Sequence, residues 1–168
     1  SAASDVYKRQ DNMIADLNAG INITDTLEQI LISTDGRIDK FDTIAGRMMT
    51  DYVRSIQVAP GGIVTDIYPA ESNEAGKIDL IHDKYRGETV KYSIANDALI
   101  IHGPFELEQG GHVLSIRNPV FLQDEKGTPY FWGMTMVIIK VPDIFQHSAD
   151  ALTNFDYQYR LSKTISPL

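Results

Sequence analysis

Side chains that are mostly apolar return every three or four residues from Leu27 onward: Leu27, Ile30, Leu31, Thr34, Ile38, Phe41, Ile44, Ala45, Met48 and Tyr52 fall on one stripe. That period marks an amphipathic helix with one face on a core. Thr24 offers a side-chain cap at the start of the stripe, and Gly36 in Thr34-Asp35-Gly36 predicts a break. The N-terminal segment, 11–52, therefore reads as two helices. At Val53 the period drops to two. Val53-Arg54-Ser55-Ile56-Gln57-Val58 alternates, Pro60-Gly61-Gly62 turns, and Ile63 to Tyr68 alternates again, which predicts a β-hairpin.

Pro69 to Ala98 carries two short helical patterns, Asn73 to Ile81 and Lys84 to Ile94, and no strand. Strands follow at Leu99–Glu108, Val113–Phe121 and Tyr130–Val141, joined by Gly110-Gly111 and by the turn Gln123 to Gly127. Two strands, short helices and three strands, preceded by a long helix, predict an α+β fold: a PAS-like five-stranded antiparallel sheet with helices over one face, spanning 53–141. Phe131 and Trp132 should point to opposite sides of the last strand, and Pro119 should end its strand or lie at a sheet edge. Residues 142–154 read as a connecting helix. Phe155 to Leu161 alternates strictly, as a strand that either opens a second subdomain at 155–168 or joins the first sheet.

Ser1 to Gln10 resembles the read-through of a transposase sequencing adapter. These ten residues are expected to be non-native and to pack against nothing. Native sequence ahead of Asp11, with any signal or membrane anchor, is expected to be missing, as is sequence after the C-terminal strand.

Composition narrows the partners. A formal charge of −8 over 168 residues argues against nucleic acid and against anionic membrane surfaces. Cysteine is absent, which excludes disulfides and thiol chemistry, and no run of about 18 apolar residues occurs. Asp79, His82 and Asp83 share a helical spacing suited to a metal, and Glu71, Glu74 and Asp79 could serve a hydrolase. A solvated acidic face is the simpler reading of both sets. No serine stands in a nucleophile elbow, and neither Gly61-Gly62 nor Gly110-Gly111 has the surroundings of a phosphate loop. A binding domain without catalytic residues, metal or cofactor is expected. On alternating strands, Ile101, Gly103 and Phe105 would line a pocket with Ser115, Arg117, Gly133 and Thr135. Tyr68, Asp79 and Leu80 would join them from a lid formed by Pro69 to Ala98. Asp79 reads either as the pocket's polar anchor or as a helix cap.

Six ordered pieces carry a resemblance: Tyr68 to Ala75, Ile78-Asp79-Leu80-Ile81, His102-Gly103-Pro104-Phe105, Glu108-Gln109-Gly110-Gly111, Arg117 to Phe121 and Phe131-Trp132-Gly133-Met134. Together they resemble the CHASE family of sensor domains across roughly Leu27 to Ile165, with departures at Ala70, Ser72 and Lys77. The resemblance implies an extracytoplasmic small-ligand sensor within a membrane-anchored receptor, whose output is a histidine kinase or a cyclic-dinucleotide enzyme. In the family's plant cytokinin receptors an aspartate ahead of a Ser-Pro-Phe strand contacts the ligand, and Asp79 matches that position. Homodimerisation through the N-terminal helix is a candidate arrangement. A PAS-like interaction module without small ligand is the alternative.

Overall fold

A computed structural model describes residues 1–70 and 78–142. Two helices come first, α1 (Ala2–Thr34) and α2 (Phe41–Met48). The hairpin β1 (Val53–Pro60) and β2 (Asp66–Tyr68) follows, then α3 (Gly87–Asn96), β3 (Ile100–Glu106), β4 (His112–Gln123) and β5 (Pro129–Val141). The five strands form one antiparallel sheet in the order β2-β1-β5-β4-β3. This is the PAS-like α+β architecture that the periodicity predicts. The connecting helix and the C-terminal strand expected at 142–154 and 155–168 lie outside the described residues, apart from Pro142, which follows β5.

Strand alternation assigns the two faces of the sheet different tasks. Ile56 and Val58 of β1, Leu114 and Ile116 of β4, and Val137 and Ile139 of β5 pack against Met13, Leu17, Ile23 and Leu27 of α1 and Phe41 and Ala45 of α2. Burial of this many branched side chains, at roughly 1.5–3 kcal/mol each, is the main force holding the helices to the sheet. Gly20 lies tight against the sheet, since a Cβ there would stand 2.6 Å from Ile116 Cδ1. The opposite face carries Ala59, Met134 and Met136, covered by Val64, Leu80 and Val90.

The break at Gly36 is confirmed. Asp35 caps α1 in a left-handed conformation, and the Gly36 N–H bonds Leu31 O at 2.8 Å. Gly36 itself has φ of 90°, which favours glycine, and it lies against the Trp132 indole. Thr24 does not cap a helix. It is buried inside an unbroken α1, and its hydroxyl donates to Ile21 O at 2.7 Å. Residues 1–10 continue α1 outward, and the side chains described there are exposed. Trp132 packs on the α1 side and Phe131 on the other, as alternation requires. Pro119 stands within β4 instead of ending it. β3 pairs only as far as Arg117, so from Pro119 onward β4 is an edge on that side.

The excursion before α3 differs from its predicted helix. Residues 78–81 are a turn whose ends are tied to the β1–β2 connection: Val64 N–H donates to Ile78 O, Leu80 N–H donates to Gly62 O, and Ile63 and Asp79 form a single bridge. Two backbone hydrogen bonds to a neighbouring segment outweigh a local helical preference over so short a stretch.

Candidate functional site

A cavity of about 320 Å³ lies on the α3 side of the sheet. Ser115 and Arg117 of β4 reach it because they alternate with Leu114 and Ile116, which face α1. Their partners across β5, Ile138 and Met136, line it too. Across those stand Ser55 and Gln57 of β1, with Gln57 Nε2 donating to Ser55 Oγ at 3.0 Å, and Arg54 lines the cavity beside them. Leu80 and Arg86 contribute from the lid, and Phe105 from β3. The loop after β3 adds Leu107, Glu108 and Gln109.

Arg117 is the largest fully buried side chain among the described residues, at 2% exposure. Its Nη1 donates to His102 Nδ1 at 2.9 Å and to Thr89 Oγ1 at 3.2 Å, while Thr89 passes its own hydroxyl hydrogen to Arg86 O. A guanidinium has only donors, so His102 must present a lone pair on Nδ1 and contributes no positive charge there. Nε of Arg117 is buried and has no acceptor among the described residues. Burial, followed by the neighbouring charge of Arg86, pushes the Arg117 pKa down to about 10 against a weaker opposite pull from Asp83. The group is therefore cationic at neutral pH. The Phe105 ring stands beneath two cations, Arg86 at 5.8 Å and Arg117 at 6.0 Å from its centroid, and edge-on to His102.

The lid is braced by its own carboxylates. Asp83 Oδ1 accepts from the N–H groups of Tyr85 and Arg86, and its Oδ2 lies 2.9 Å from Arg86 Nη1. Burial raises the Asp83 pKa, but these N–H groups and the guanidinium outweigh it and hold the carboxyl below its usual range. Asp79 Oδ2 lies 2.7 Å from His82 Nδ1, and Oδ1 accepts from the His82 N–H. These hydrogen bonds lower its pKa, the side-chain bond most.

Of the residues expected at the site, Leu80, Phe105, Ser115 and Arg117 converge on the cavity. Ile101 faces the α1 core instead, because the β3–β4 register shifts between His102 and Phe105 and puts positions 101 and 105 on opposite faces. Gly103 sits in that irregularity, against Val113 O. Thr135 pairs with Asn118, one residue out of step with Arg117, and faces α1. Gly133 abuts the backbone of Ala59 and Pro60. Tyr68 packs on the α1 and α2 side against Gly46. Asp79 turns to His82 and is not among the lining residues. Glu71 and Glu74 lie outside the described residues, and no group of three metal-ligating side chains occurs among those described. Sequence reasoning missed Arg54, Gln57 and Arg86. A signal existed for Gln57, which alternates with Ser55 in an apolar strand, whereas Arg54 reaches the same side through the register shift between Val53 and Ser55.

A PAS-like sheet with a covered, arginine-rich cavity is what fold and site define together. No protein-family model matches the chain, and no curated protein matches it. Among solved structures, the fold is similar to that of an extracellular ligand binding receptor from Desulfohalobium retbaense DSM5692, with a TM-score of 0.60 and 16% sequence identity. The likeness covers 84% of this chain and 25% of that one, so the chain spans a quarter of the receptor's length. At that identity the two share a fold. No helix among the described residues is long and apolar enough to cross a membrane.

Proposed function

We propose that this chain is a small-ligand-sensing domain of the CHASE type, on the extracytoplasmic side of a membrane-anchored receptor that ends in a histidine kinase or a cyclic-dinucleotide enzyme. One observation carries the reading. A cavity of small-molecule size holds a fully buried arginine whose Nε has no acceptor among the described residues, and a folded chain rarely leaves such a donor unpaired unless something else occupies the place. The fold shared with an extracellular ligand binding receptor supports it. Leu80, Phe105, Ser115 and Arg117, with Arg54, Gln57 and Arg86, are the proposed ligand contacts. The reading is of binding without turnover.

Sensing would proceed as a population shift. A ligand held between the lid and β4 favours one arrangement of the sheet, and α1, packed on the opposite face, carries the change outward. A homodimer through α1 belongs to the same reading. Its inner stripe is used by its own sheet, so the outer face would pair, where Ile14 and Ile32 stand exposed about five turns apart on one line.

Recovery of the coding sequence on both sides of residues 11–168 tests the receptor context. Apolar spans of about 20 residues are expected on both sides. A continuous frame that lacks them and joins cytoplasmic domains instead would leave the interaction module without ligand as the better account.

A further inference from the structure

Resting on the ligand-sensing reading above, we infer that the cavity takes a small organic carboxylate, gripped by the guanidinium of Arg117 and flanked by Arg86 and Arg54. Three observations lead there. The first is charge. The chain as a whole is acidic at −8, yet three arginines are among the residues that line one cavity. Two of the carboxylates nearest them, Glu106 and Glu108, stand exposed at its rim, and Asp83 is already paired with Arg86. A buried cation without a counter-charge is costly, and the cost is relieved when an anion enters.

The second observation is which donors of Arg117 are already used. Both hydrogen bonds of Arg117 leave from Nη1. Nε and the adjoining Nη2 form the side edge of the guanidinium, two parallel donors spaced for the two oxygens of a carboxylate. His102 and Thr89 hold the far end of the fork still, so the edge is preorganised and little side-chain entropy is lost on binding.

The third is the rest of the lining. Leu80, Met136, Ile138 and Phe105 offer apolar surface, while Ser55 and Gln57 place a neutral polar pair on β1, beyond β5 in the same sheet. A carbon body several atoms long fits between them, with a second polar end at Gln57. Inorganic phosphate would satisfy Arg117 but leave that apolar surface uncovered.

The test uses the chain as it is. Thermal melts and calorimetry are run with acetate, lactate, succinate and citrate, with inorganic phosphate, with adenine as an uncharged ligand, and with sodium chloride at matched ionic strength. At least one carboxylate should raise the melting temperature by about 4 °C or more beyond the salt control. Arg117→Met should weaken that carboxylate at least about tenfold, Arg117→Lys should restore part of the loss, and Arg86→Met should weaken it by about threefold to tenfold. If Arg117→Met does not fold, Arg86→Met and Arg54→Met at partly exposed positions decide the matter. Binding that is unchanged in the variants overturns the inference, and so does a response to phosphate alone. A response to adenine alone overturns the carboxylate and leaves the ligand sensor standing. No response to any of the probes overturns both.

Discussion

A methyl group at position 133 would stand 2.3 Å from Ala59 O and 2.8 Å from Pro60 Cα, well inside contact distance with backbone that cannot rotate away. Glycine is required there by the approach of β1 to β5 at the centre of the sheet. Gly133→Ala should destabilise the domain by about 3 kcal/mol, read as a lower denaturation midpoint in urea. Asp79 is the opposite case. Its carboxylate is satisfied by His82 within its own turn, so Asp79→Ala should loosen that turn and leave carboxylate affinity within about twofold in calorimetry. A loss of tenfold or more would return Asp79 to the site. Neither outcome was legible from residue types. An aspartate ahead of a Gly-Pro-Phe strand reads alike whether it faces a ligand or a histidine three residues on.

Between elements, a polar network crosses the seam of α1 and the sheet. Asn118 Nδ2 donates to Glu28 Oε1 at 2.6 Å and to Thr135 Oγ1 at 3.3 Å, and the Thr135 hydroxyl donates to Thr24 O at 2.9 Å. Thr24, Asn118 and Thr135 are all buried. Such bonds fix where the helix sits along the strands, which apolar contact alone leaves loose. Thr135→Val keeps the shape but removes both the bond donated to Thr24 O and the one accepted from Asn118, so a loss of about 1–3 kcal/mol is expected in chemical denaturation. Period and turn chemistry made the strands, the hairpin and the break at Gly36 legible in the sequence. What they could not supply was register. A shift of one residue at His102–Phe105 or at Val120–Phe121 exchanges the faces of everything beyond it. The shift in β3 is why Phe105 lies at the cavity while Ile101 faces the helix, and Thr135 faces the helix because its partner across β4 is Asn118, one residue on from Arg117.

For the molecule as a whole, acid should act first on the lid. Asp79 and Asp83 both ionise below the usual value of 3.8. A depressed folded-state pKa contributes stability that is present above the unfolded value and lost as pH falls through the folded one. The stability that these two carboxylates contribute should therefore decline below about pH 4, and amide exchange should rise in residues 78–86 under those conditions. Both groups are partly solvated, so the effect should be modest beside global unfolding. Arg117 contributes nothing to that window, since it holds its proton until about pH 10.

Arg117 and Asn118 are consecutive residues of β4. One faces the cavity and the other the helix, so a single peptide unit separates the proposed ligand from the bonds that seat α1. Thermodynamics makes such a joint work equally in both directions: whatever factor a ligand contributes to the seating of the helix, the seating must contribute to the ligand's affinity. Thr135→Val, more than a strand's thickness away from any ligand atom, should then change carboxylate affinity by about threefold or more, and an unchanged affinity would mean the two faces of the sheet do not speak to each other. If they do, a clamp on the outside of the protein that holds α1 in place would tune what the cavity can detect without touching it.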